Sequence, residues 1–168
     1  MRGRAVAVLV AAACGAPARR PAPVAVTGRH PERPGLAVLR IEPVAGDAAA
    51  AQVAVALTGE LRAQVAAPTS RFELAPRKQD DLGELRQLAS CPDGNAASCL
   101  ADIGSYLDVD FLVYGKLERA GDGYALALDL LDVHRRFNRR AEVVRVSADL
   151  RGTARGAYEK LGAATGSW

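Results

Sequence analysis

Two cysteines eight positions apart, two pairs of aspartates and one dense run of arginines are the residues whose types and spacing could do chemistry. Cys91 and Cys99 flank the segment CPDGNAASC, in which Pro92, Asp93, Gly94 and Asn95 spell a turn between two helices. In an exported chain the simplest use of such a pair is a disulfide, which on a chain-entropy argument stabilises by ~2.5 kcal/mol for a loop this short. Free thiols are the next reading. A metal site would need two further soft or imidazole ligands, and the only histidines are His30 and His134, far apart in sequence. A redox pair is usually spaced Cys-x-x-Cys, which this is not. Neither a metal nor a cofactor is expected.

Asp108 with Asp110 and Asp129 with Asp132 are spaced so that paired carboxylates could share acid and base work. The plainer reading is structural: the first pair falls at a helix-to-strand junction, and Asp132 falls at a strand end where it can make turn contacts. Asp129 stands out because it falls in mid-strand. There is no Gly-x-Ser-x-Gly elbow, no Walker loop and no Gly-x-Gly-x-x-Gly after the first strand, and a Ser or Cys nucleophile would find almost no histidine to activate it. An enzyme is therefore not expected. Residues 134–140, HRRFNRR, set Arg135, Arg136, Arg139 and Arg140 around Phe137. Guanidinium groups grip phosphate or carboxylate bidentately, so this run is a candidate surface for lipid phosphate, peptidoglycan carboxylates or an acidic protein. Hairpin tips also collect solvated charge, which is the plainer reading.

The elements that must carry these residues follow from pattern. At 168 residues, with 49% hydrophobic and 24% charged side chains, the chain has the length and composition of one globular domain, and its formal charge of +3 does not point to nucleic acid. Residues 1–14, MRGRAVAVLVAAAC, place Arg2 and Arg4 before an apolar run and a cysteine, the outline of an export signal. The run is far short of the ~20 residues that span a bilayer. Ala11, Ala12 and Ala13 before Cys14 resemble a bacterial lipobox, which implies cleavage at Cys14 and acylation of its thiol; simple secretion and a mis-started N-terminus are the lesser alternatives. Gly15, rather than Asp, follows the cysteine, so the resemblance favours the outer membrane. Residues 15–35 hold five of the nine prolines and no periodicity, a tether that at ~3.1 Å per residue could reach ~60 Å.

Residues 36–168 read as a single α/β domain. Residues 36–44, LAVLRIEPV, are a first strand; Asp47 can cap a long helix to Ala66 whose stripe is Val53, Leu57, Leu61 and Val65, with Gly59 marking close packing or a bend. Residues 71–76 alternate as a second strand, and two short helices carry Leu82, Leu85 and Leu88, then Leu100, Ile103 and Leu107. Residues 110–133 form the centre of the sheet: a buried run, Phe111 to Tyr114, then a turn at Gly121, Asp122 and Gly123, then Leu126, Leu128 and Leu130 at period two. Residues 141–150 alternate as a further antiparallel strand, and a last helix begins near Thr153. The total is five strands and four helices.

The segments LAVLRIEPV, ALTGELRAQVA, FELAPR, CLADIGSYLDVDFLVYGKLE and GDGYALALDLLDV together resemble TolB N-terminal-like and CsgG-like envelope domains. The resemblance covers residues 36–164 and implies a three-layer α/β/α domain like the anticodon-binding fold, with a five-stranded mixed sheet in the order 2-1-3-4-5, strand 4 antiparallel. It also implies contacts with periplasmic proteins. Arg40 stands where relatives often have Pro. The function expected is a non-enzymatic, outer-membrane-anchored periplasmic lipoprotein that acts as an adaptor for envelope partners, with a homo-oligomer left open. A small-ligand or glycan sensor using a crevice near Gly46 and Lys116, where the chain order of the sheet reverses, is the alternative.

Overall fold

The computed structural model describes residues 33–75, 82–89, 91, 97–140 and 143–165. The leader, Cys14 and most of the tether lie outside these residues. The elements are β1 (Gly35–Val38), α1 (Ala48–Ala66), β2 (Glu73–Leu74), α2 (Leu82–Leu88), α3 (Ala97–Tyr106), β3 (Phe111–Ala120), β4 (Gly123–Asp132), β5 (Phe137–Arg140), β6 (Val144–Arg145) and α4 (Leu150–Thr165). The sheet runs β2-β1-β3-β4-β5, with β6 also paired to β4. β1 is parallel to β2 and β3, while β4 is antiparallel to β3, β5 and β6. The mixed α/β sheet and its strand order match the expected fold.

Period-two alternation sorts the sheet into two apolar faces. Leu36, Val38, Val113, Leu126, Leu128 and Leu130 pack under Leu57, Leu61 and Val65 of α1 and Ala157 and Leu161 of α4. Ala37, Leu112, Tyr114 and Leu131 pack under Leu82 and Leu85 of α2 and Leu100 and Ile103 of α3. Gly104 lets α3 approach this second face, because a Cβ there would collide with Cγ2 of Val133.

Four expectations need correction. β1 is not one strand to residue 44. Val38 pairs with Val113 and Glu42 with Lys116, so four steps on the first chain match three on β3 and one residue bulges out. The bulge leaves polar backbone to be satisfied, and α1 does it: Arg62 donates through Nε and Nη2 to the Val38 carbonyl at 3.0 and 2.6 Å, and Thr58 Oγ1 accepts from the Ile41 N–H at 3.0 Å. The last strand is likewise not residues 141–150. The chain reverses at 133–136, where Asp132 Oδ1 accepts from the Arg135 N–H at 2.8 Å, and pairs at once as β5 before a second short pairing as β6. The final helix then starts at Leu150 because Asp149 fastens its first turn, its carboxylate accepting from Gly152 N–H and its carbonyl from Thr153 N–H. Gly59 does not mark close packing: α1 runs through it, and a Cβ placed there meets nothing within 4 Å.

These two glycines predict opposite outcomes. Gly59→Ala should raise stability by about 0.5–1 kcal/mol through helix propensity, and Gly104→Ala should lower it by about 1–3 kcal/mol through overpacking against Val133. Urea denaturation of both variants checks the pair.

Candidate functional site

The four aspartates singled out by spacing divide by what they hold. Asp110 Oδ2 accepts from the Gly35 N–H at 2.8 Å, and Oδ1 pairs with His134 Nε2 at 2.7 Å. Its own N–H donates to the Gly35 carbonyl, and its carbonyl accepts from Val133 N–H. Asp132 is buried and holds the 133–136 turn. Asp108 is exposed and adopts a φ of 57°, the left-handed turn that joins α3 to β3. Asp110 and Asp132 are thus committed to backbone and turn contacts.

Asp129 belongs to a different setting. The face of the sheet that carries Leu112 and Tyr114 continues at period two through Lys116 and Glu118 on β3, and that carrying Leu131 continues through Asp129, Ala127 and Ala125 on β4. α2 and α3 cover only the first part, so among the described residues this end of the sheet has two layers rather than three. Lys116 and Glu118 form an exposed ion pair at 2.8 Å there. A notch of about 280 Å³ opens beside Lys116, lined also by Glu42, Leu82, Arg86, Tyr114, Gly115 and Asp129. Burial, with the Asp129 charge adding to it, pushes the Tyr114 phenol up to about 12, so it stays a neutral hydrogen-bonding group, accepting from Asn138 Nδ2 at 2.8 Å. Lys116, midway along β3, lines this notch. Gly46 does not line it; its φ of 75° serves the turn into α1.

Of the four arginines, Arg135 and Arg136 sit in the turn and Arg139 and Arg140 in β5, opposite Leu130 and Asp129. The basic run is therefore half turn and half edge strand. Arg136 has a φ of 54° and pairs with Asp102 of α3 at 2.7 Å. Cys91 and Cys99 are bonded, with Cα atoms 5.8 Å apart, and this joins the segment after α2 to α3.

One cluster escaped the sequence analysis. Asp47 caps α1 through the Ala50 N–H at 2.9 Å, and also accepts from the Tyr124 hydroxyl at 2.8 Å and from Arg119. Arg119 lies over the Tyr124 ring, 5.1 Å from its centroid. The Ala50 N–H, then the Tyr124 hydroxyl and Arg119, hold the Asp47 carboxyl below its usual value, and the same bond raises the Tyr124 phenol. The cap was visible in sequence; its partners come from the far end of a hairpin more than seventy residues on.

Comparison with known proteins adds a fold. No protein-family model matches the chain, and no curated protein does. Solved structures similar to it include TolB from Acinetobacter baumannii, at 16% identity and a TM-score of 0.53 over 80% of this chain and 29% of that one. The LpoB C-terminal domain from Escherichia coli gives 17% identity and a TM-score of 0.46 over 68% and 82%. Lipoprotein GNA1162 from Neisseria meningitidis gives 14% identity and 0.39 over 79% and 99%. The chain spans under a third of the TolB structure, and that likeness is one of fold.

Because the Asp47 carboxyl is held low, its contribution to stability is present above its ordinary value of 3.8 and is lost as the pH falls through the lowered one. Asp47→Asn should therefore be less stable than wild type at neutral pH, with the gap narrowing as the pH drops below 3.8. Denaturant midpoints across that range check the sign.

Proposed function

We propose that this protein is a non-enzymatic envelope lipoprotein, anchored through acylated Cys14 on the periplasmic side of the outer membrane, whose single α/β domain is an adaptor for an envelope protein. The observation that carries the reading is the use of the polar residues. Asp47, Asp110 and Asp132 hold a helix cap, three strand ends and a turn, while the uncovered end of the sheet presents Lys116, Glu118 and Asp129 on a rigid hairpin. A mixed-charge surface carried on paired strands suits protein recognition, where complementary charge fixes partner and register. The TolB-like fold and the leader ending at Cys14 are compatible with that address. Four of the seven residues that line the notch beside Lys116 are charged, Glu42, Arg86, Lys116 and Asp129, a more polar lining than that of most small-molecule pockets, which supports the adaptor over the sensor.

The reading predicts that crosslinking in cells captures an envelope protein, and that the double charge reversal Lys116→Glu with Glu118→Lys cuts the yield several-fold while leaving the melting temperature near wild type. Recovery of no envelope protein above background, or a yield untouched by the reversal, would count against it.

A further inference from the structure

We propose that the groove between α2 and α3 is the docking site of this chain's own tether, which lays residues 21–26, PAPVAV, along the two helices as a short strap. The inference goes beyond the adaptor reading, and the docking itself does not depend on an anchor at Cys14.

The groove is built from the helices that cover one end of the sheet. Leu85 and Ile103, 3% and 2% exposed, form its floor. Leu88 and Tyr106, 72% and 55% exposed, line it with Ala89 and Asp102, and the space enclosed is about 380 Å³. Two of the five large hydrophobic residues exposed among the described residues therefore line one concave site. The Cys91–Cys99 bond joins the segment after α2 to α3 and so ties the two sides of the groove together. An apolar concavity with a buried floor and exposed rims is the form of a peptide-docking surface.

The chain enters the domain close to this groove. A Cβ at Gly35 would stand 3.5 Å from the Val109 Cα, and Val109 follows Tyr106 by three positions. Chain geometry alone then puts the Tyr106 Cα within about 17 Å of the Gly35 Cα. Val26 precedes Gly35 by nine positions, which span about 28 Å at the ~3.1 Å per residue of a Pro-rich chain. The strap reaches the groove without stretching.

Composition selects the segment. Between residues 15 and 32, the run 21–26 is the longest without a charged or hydrogen-bonding side chain, and it holds the only large aliphatic residues, Val24 and Val26. Three residues per turn in polyproline II place Pro21 with Val24 on one edge and Pro23 with Val26 on the next. Grooves walled by aromatic and aliphatic side chains take such paired stripes. Proline lowers the entropy lost on docking, and the covalent link supplies an effective concentration on the order of millimolar, so a weak site is filled. With the strap docked, only residues 15–20 separate Cys14 from it, and the reach of the tether falls from ~60 Å to ~20 Å. Occupation of the groove thus sets how far the domain stands from Cys14.

The test is solution NMR on the full chain carrying Cys14→Ser, which holds no acyl group, so its outcome is separate from that of the anchor. Backbone order parameters at Val24, Ala25 and Val26 should exceed about 0.7 in this chain and fall below about 0.6 once Leu88→Ser and Tyr106→Ser are introduced together. The valine methyl groups should give Overhauser contacts to the Tyr106 ring, and Val24→Ser with Val26→Ser should abolish them. Val55→Ser, which removes an exposed apolar residue from α1, should leave both readouts unchanged. Order parameters in the starting chain no higher than those of the Leu88 and Tyr106 variant overturn the proposal. Contacts to the groove from residues 5–13 in place of Val24 and Val26 overturn it too, as do contacts that isotope filtering assigns to a second molecule. Thermal melts establish that each variant is folded.

Discussion

The carboxylate of Asp110 is the constraint on which the sheet depends. Parallel pairing of β1 and β3 must be fixed without a connecting turn, and Asp110 fixes it by receiving the Gly35 N–H while its own backbone N–H answers the Gly35 carbonyl. The same residue accepts from Val133 at the end of β4 and reaches His134 in the turn. One position thus aligns the start of β1, the start of β3 and the end of β4. Loss of that alignment would free the first strand, since beyond Val38 its pairing is interrupted by the bulge.

The bulge determines how the rest is built. An extra residue between β1 and Glu42 leaves the Val38 carbonyl and the Ile41 N–H to be satisfied, and α1 is docked where Arg62 and Thr58 do so. Thr58 in turn donates to the Ala54 carbonyl within the helix, at 2.7 Å, so the hydroxyl uses donor and acceptor together. At the far end Asp47 ties the first turn of α1 to Tyr124 and Arg119 on the hairpin. α1 is therefore held at both ends by polar contacts and along its length by Leu57, Leu61 and Val65. On the other face the two short helices and their disulfide cover only the end near Asp110. Among the described residues, no helix packs over the charged surface around Lys116 and Glu118.

Much of this was legible in the sequence. Leu126, Leu128 and Leu130 at period two, the Asp47 cap, the glycine turn at 121–123 and the cysteine pair all carry local signals that the structure keeps. The bulge was not legible, because residues 36–42 alternate plausibly as one strand and the extra residue shows only in the register against β3. β5 was hidden for a different reason. Its charged residues read as a solvated tip, yet an edge strand needs only its backbone to pair, and arginines there also discourage edge-to-edge association. The partners of Asp47 depend on where a long hairpin ends in space, which no local pattern encodes.

Taken together, one end of the domain gathers the incoming chain and the basic turn, and Lys116 and Glu118 present charge farther along the same sheet. The proposed adaptor role rests on an anchor at Cys14. The most direct test is intact mass analysis of the mature protein purified from the envelope. The account predicts a chain that begins at Cys14 and carries the added mass of a lipid anchor, and a mature chain with an unmodified Cys14, or one that retains residues 1–13, would contradict it.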